Sequence, residues 1–145
     1  MTTPQTRPDF KTQWEEFYRS VDDIAKTLQL YPVSGSSEEV VVGMSLHKDI
    51  MQPAGMFSAP ALFGLADICA TWLAMQNVPE GVFPLAISSS VNVVSNTKSG
   101  DAIATSTIVR AGRTVIVTDT TIRSSETDAI LAKMVFTYSV PTPRK

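Results

Sequence analysis

The chain has 145 residues but only one cysteine and one histidine. A lone cysteine, Cys69, cannot close an intrachain disulfide, which fits a reducing compartment such as the cytosol. One cysteine and one histidine do not supply the usual ligand set of a zinc site, so no metal is expected. A glycine-rich phosphate loop, a dinucleotide fingerprint and a nucleophile-elbow pattern are also missing. A serine–histidine triad would have to use His47. That residue ends the strand-like run VVVGMSLH and reads as a strand-end or surface residue, not a catalytic base. The net charge of -2 gives no electrostatic basis for a nucleic-acid or anionic-membrane partner. The longest apolar segment, Pro60 to Met75, is short for a membrane span and carries Asp67 near its middle. The start of the sequence, MTTPQTRPDF, is polar and lacks an apolar signal core. A cytoplasmic protein with neither a nucleic-acid nor a membrane partner is the expectation.

What is present suits one globular domain: 43% hydrophobic and 18% charged residues, enough apolar material for a sizeable core. Residues 1–8 are polar, hold two prolines and read as a flexible tail; 9–145 read as a single domain. Phe10, Trp14, Phe17, Val21, Ile24 and Leu28 recur at helical spacing, which predicts one amphipathic helix with Asp9 as its N-cap. Pro32 to Ser37 reads as a turn cluster. Glu39 to His47 reads as a strand, and 48–58 as a loop with Pro53 and Gly55. The next segment, APALFGLADICATWLAMQ, is apolar on nearly every side and predicts a buried helix. Ser58 is placed to cap it, and Pro60 sits in its first turn, where a missing N–H costs little. Strands follow at about Phe83–Val94, Ala102–Arg110, Thr114–Arg123 and Ile130–Val140, with short breaks that favour antiparallel pairing. A long apolar helix beside one antiparallel sheet is an α+β architecture in which the sheet wraps the helix.

Two features bear on chemistry. Asp67 has Phe63, Leu65, Ile68 and Trp72 for neighbours, and an unpaired carboxylate there is expensive. It either carries out a task, or caps a backbone group or pairs with an arginine. The second feature is the helix start Ser58-Ala59-Pro60-Ala61, whose free N–H groups favour negative charge. Ala59 can donate its N–H; Pro60 cannot. Ala59 and Asp67 are eight residues apart, or roughly 12 Å along one helix axis, too far to act on one carbonyl. Two such helices packed antiparallel about a two-fold axis would bring one subunit's Asp67 to the other's helix start, giving two identical shared sites.

The run from Gln52 to Pro60 (QPAGMFSAP), followed by Ala61 to Asp67 (ALFGLAD), resembles a motif of hot-dog-fold acyl-CoA thioesterases of the phenylacetate-degradation (PaaI-like) type. That motif reads Asn-Pro-x-Gly-x-x-His-Gly-Gly and continues into a helix with Leu-Ala-Asp. Here Gln52 stands at the asparagine, Ser58 at the histidine, and Ala59 and Pro60 at the glycines, a Ser-Ala-Pro variant. Val91 to Asp101 resembles the family's strand and following turn. Arg110-Ala111-Gly112-Arg113 is similar to its basic turn, and Thr137 to Pro141 to its closing strand. The resemblance implies a hot-dog fold with an additional N-terminal helix, assembled as a homodimer and often as a dimer of dimers. It implies hydrolysis of an acyl- or aryl-acyl-CoA, with no cofactor beyond the CoA of the substrate. Asp67 would be the nucleophile or general base, Ala59 would polarise the carbonyl and Gln52 would place water or substrate. Gly55, Ser58, Ser88, Ser89, Ser90 and Gly112 would line the substrate site, and Arg110 and Arg113 would meet the CoA phosphates. The altered motif motivates an alternative, an acyl-CoA- or lipid-binding protein without turnover. A hydratase on the same fold ranks below both, because its carboxylate would need a histidine partner and His47 lies outside the motif.

Overall fold

The computed structural model describes residues 7–142. Helix α1 spans Phe10–Ser20 and α2 spans Ile24–Thr27; strands β1 (Tyr31–Gly35) and β2 (Glu39–Ser45) follow. A 3₁₀ turn at Lys48–Ile50 leads through the loop to helix α3, Ala59–Met75. Strands β3 (Leu85–Val93), β4 (Asp101–Ala111), β5 (Val115–Ser124) and β6 (Ile130–Ser139) complete the chain.

The six strands form one antiparallel sheet in the order β1-β2-β4-β5-β6-β3. After β2 the chain crosses the concave face as α3, lays β3 on the far edge beside β6, and returns to place β4 next to β2. Alternate residues point at the helix, as a period of two requires. Val40, Val42 and Met44 do so from β2, Ala102, Ala104 and Ser106 from β4, and Met134, Phe136 and Tyr138 from β6, all buried. The small side chains of β4 let α3 come close to the sheet. There the Cys69 thiol donates to the Val40 and Ala104 carbonyls at 3.2 and 3.5 Å.

Helix α3 begins where the sequence places it. Ser58 is the N-cap and accepts from Ala61 N–H at 3.2 Å, and Pro60 lies in the first turn. Most of its side chains are buried. Besides Pro60 in the first turn, the residues left partly or wholly open, Ala59, Phe63, Asp67, Thr71 and Met75, follow one another at intervals of four and so form one stripe along the helix. Asp67 is at its centre.

Two expectations for the N-terminal part are corrected. The single helix through Leu28 is broken after Ser20. The Asp9 cap is present, accepting from Thr12 N–H at 2.8 Å. However, Asp23 starts a second helix by accepting from Ala25 N–H at 2.7 Å. A capping carboxylate competes with helix continuation, and it wins here because α2 can then turn its own apolar face inward. Ala25 and Leu28 are buried there. Second, Pro32 to Ser37 is not merely a turn: Tyr31–Gly35 is strand β1. It pairs only with β2, with a register shift between Pro32 and Ser34. An edge strand tolerates a residue without an N–H. Of the tail expected at 1–8, residues 1–6 lie outside the described part. Arg7 is held, its guanidinium donating to the Met75 and Val78 carbonyls at the end of α3.

Helix α1 does not cover the outer sheet face. Its Phe10, Trp14 and Phe17 rings gather around Trp72 of α3 with centroids 5.2–5.5 Å from it, and Phe10 also covers Gly35 of β1.

Candidate active site

Asp67 borders two clefts. One, about 190 Å³, lies beneath the N-terminal segment and is walled by Tyr18, Asp23, Ile68, Trp72, Phe83 and Leu85. The other opens toward β3 between Phe63, Ile87, Ser88, Ser89 and Phe136. No arginine, lysine or histidine lines either cleft, and among the described residues no ion pair includes Asp67. Nor does its carboxylate accept a hydrogen bond from them; only its backbone carbonyl is engaged, by the Tyr138 hydroxyl at 3.4 Å. The structural roles open to this residue, a backbone cap or an arginine partner, are therefore both unfilled. Burial holds its pKa above the usual carboxylate range, and the nearby charge of Asp23 raises it further.

The loop before α3 is a tight structure of its own. Met51 and Phe57 form an isolated bridge, and Gln52 N–H donates to Met56 O at 2.8 Å. Gly55 has φ 81°, a value glycine adopts without strain. The Gln52 side-chain oxygen accepts from the N–H groups of Ala54 and Met56. Gln52 thus braces the loop through its oxygen. Ala59 follows the Ser58 cap at the exposed start of α3.

A residue not singled out in the sequence fixes this loop from outside. The Asn96 amide clasps the backbone of Phe57, accepting from its N–H at 3.2 Å and donating to its carbonyl at 2.7 Å. Phe57 is fully buried, so these backbone groups need that partner. The asparagine within a polar Ser-Asn-Thr run was the only available signal, and its partner lies 39 residues away.

The remaining candidates separate. Ser88 and Ser89 reach the Asp67 cleft, while Ser90, one residue on along β3, is not in its wall. Arg110, Gly112 and Arg113 sit at the β4–β5 turn, where Gly112 N–H donates to Val115 O at 2.9 Å. Both arginines are exposed, and neither borders an Asp67 cleft within one chain. His47 lies just past β2 and also lines neither cleft; its Nε2 is buried without a partner among the described residues. The Cys69 thiol is pushed up to about 12 by burial under α3, so it is not a nucleophile near neutral pH.

One antiparallel sheet wrapped round one long helix is the hot-dog fold, as the sequence resemblance implied. Among solved structures, a thioesterase from Haemophilus influenzae superposes with a TM-score of 0.85 at 18% identity, over 94% of this chain and 93% of its own. The PaaI protein of the phenylacetic acid degradation operon of E. coli gives 0.78 at 18%, over 90% and 92%. A Streptococcus mutans protein bound to acetyl CoA gives 0.70 at 24%, over 80% and 91%. No family model matches the chain, and no curated protein matches it in sequence. Among the described residues no helix is long and apolar enough to cross a membrane.

Proposed function

We propose that the protein is a cytoplasmic acyl-CoA thioesterase whose two identical sites form between subunits of a homodimer. The observation that carries this reading is Asp67, a carboxylate on a buried helix that, among the described residues, no cation neutralises and no backbone N–H holds. In that setting it is a base of raised pKa, suited to take a proton from water, or a nucleophile toward the thioester carbon. Fold neighbours that are a thioesterase and an acetyl-CoA-bound protein support the choice of substrate class.

The spacing on α3 supports the shared site. Phe63 lies midway between Ala59 and Asp67 on the open stripe. A two-fold axis passing by Phe63 would exchange the two positions, setting the Ala59 N–H of one subunit opposite the Asp67 of the other. Strand β3 offers the matching edge. It pairs on one side only, and Leu85, Ile87, Val91 and Val93 are 54%, 61%, 44% and 42% exposed. A long apolar edge with no charge or proline calls for a partner. The cleft of about 190 Å³ is below the ~300–1,000 Å³ of ordinary ligand pockets, so it suits the acyl part of a ligand.

In this reading Ala59 N–H stabilises the developing oxyanion. Gln52, Gly55 and Ser58 hold the loop at the thioester, and Ser88 and Ser89 flank the acyl group. Arg110 and Arg113 reach the CoA phosphates from the β4–β5 turn. Assay of a panel of acyl- and aryl-acyl-CoAs tests it, with release of free CoA expected and lost in Asp67→Asn. Binding of the same compounds in calorimetry without turnover would replace it by the non-catalytic reading, which the Ser-Ala-Pro helix start favours.

A further inference from the structure

We propose that Asp23 is a positioning residue of the Asp67 site: the N-terminal segment delivers a second carboxylate to the cleft, facing the first. The inference rests on reading Asp67 as the base. Three features of the chain combine to place Asp23 there. The first is Gly64, on α3 one turn before Asp67. A Cβ at this position would lie 2.7 Å from Leu28 Cδ1 and 4.0 Å from Ile24 Cγ1, so the side chains of α2 pack directly on α3 at this glycine. The second is the break after Ser20. Because Asp23 starts α2, the seating of α2 carries the Asp23 side chain to the wall of the Asp67 cleft.

The third feature is a relay that fixes the carboxylate. Trp72 Nε1–H donates to the Tyr18 hydroxyl at 3.3 Å, and that hydroxyl donates to Asp23 Oδ2 at 3.2 Å. Ala25 N–H holds Oδ1 at 2.7 Å. Both oxygens are therefore tied, and the side chain cannot swing away. Each link starts from a residue of the same cleft or of α2, so the relay ties α1, α2 and α3 to one point.

The groups facing Asp67 are few. Tyr18 comes from α1, Asp23 from the start of α2 and Tyr138 from β6; β3 contributes no titratable group, only Leu85, Ala86, Ile87, Ser88 and Ser89. The tyrosines are held protonated, their pKa values raised chiefly by burial. Among the described residues, Asp23 is thus the only neighbour whose charge opposes ionisation of Asp67, and none of them brings a cation to either cleft to offset it. A like charge disfavours ionisation and leaves a stronger base once the proton is gone.

The test uses Asp23→Asn and Asp23→Ser in the full chain. Both residues are good N-caps, so α2 should stay in place. The Asp67 carboxyl carbon is followed by ¹³C NMR against pH, assigned by its disappearance in Asp67→Asn. The expected result is a titration midpoint at lower pH in both variants. The acid limb of kcat/KM for an acyl-CoA should move down in pH by the same amount. A midpoint unmoved in both variants overturns the proposal. If the wild type hydrolyses no acyl-CoA, the thioesterase reading fails, and the NMR titration still decides the role of Asp23.

Discussion

Replacing Asp67 with asparagine should cut turnover sharply and stabilise the protein at neutral pH, and the two effects together separate a catalytic carboxylate from a structural one. The folded-state pKa of Asp67 is raised by burial and by Asp23. A group raised in this way favours the fold while protonated, below its unfolded pKa, and loses that contribution as pH climbs through the folded value. At pH 7 the ionised form therefore opposes folding. An unpaired polar group costs about 1–3 kcal/mol when fully buried. Asp67 borders two clefts open to solvent, so screening leaves a smaller sum, about 0.5–1 kcal/mol. For a chain of this size that is a rise in Tm of about 2–4 °C. Asparagine is nearly isosteric, so packing against Phe63 and Trp72 is kept. The assay is thermal unfolding at pH 7 and again in acid, at one protein concentration so that association does not enter. The stabilisation should be present at pH 7 and vanish in acid, where both chains are neutral at this position. Acyl-CoA hydrolysis should fall by on the order of 10²–10⁴-fold. A variant less stable than wild type at pH 7 would refute the reasoning, since it would show that the carboxylate holds the fold together.

Three further outcomes follow from the packing. Gly43→Ala drives a methyl group into the Tyr31 ring, whose hydroxyl is tied to Asp101; it should cost about 1–3 kcal/mol in urea unfolding, and little in a Tyr31→Ala background. Asn96→Ala strips both partners from the buried Phe57 backbone, so amide exchange across residues 52–58 should accelerate and kcat/KM should fall. Lysine at both Ile87 and Val91 should leave the monomer fold intact, as charge on an edge strand does. The variant should sediment as a monomer and lose hydrolysis; a fully active monomer would show that one chain holds a complete site.

Much of the fold was legible because period and punctuation agreed. Ser58 and Pro60 mark the start of α3, and the β-branched runs mark five strands to within a few residues. The sixth was hidden because Pro32, Ser34 and Gly35 carry the chemistry of a turn. Only its place at the sheet edge, a tertiary fact, makes them compatible with a strand. The split between α1 and α2 was hidden for a different reason. Val21, Ile24 and Leu28 keep the helical period across the break, so periodicity could not reveal it. The Asp-Asp pair at 22–23 was the local signal, since either residue can start a helix. In the site, Asp67 stood out as one charge in an apolar segment. Asp23 and Asn96 did not, because each is ordinary in its own neighbourhood and acquires its role from a contact distant in sequence.

That contrast explains why the site is spread along the chain as it is. A hot-dog sheet hides nearly all of its helix, so chemistry is confined to the one stripe of α3 left open. That stripe presents Ala59 and Asp67 eight residues apart, and a single chain cannot bring them together. What a chain can do alone is prepare each half. The loop and Asn96 fix the helix start, while α2, seated at Gly64, brings Asp23 to the carboxylate. On the proposal that Asp23 sets the charge of Asp67, the N-terminal segment has a function separate from stability. Loss of α2 should leave the sheet and α3 formed, yet change the pH at which Asp67 gains its charge. Variants at Gly64 give the same test from the other side of the contact. Gly64→Ala presses on the Leu28 side chain, and where α2 yields with it the Asp23 cap moves too. The titration of Asp67 should then move in the same direction as in Asp23→Asn, although neither carboxylate has been altered. A Gly64→Ala protein with displaced α2 and an unchanged Asp67 midpoint would break the link between that contact and the site.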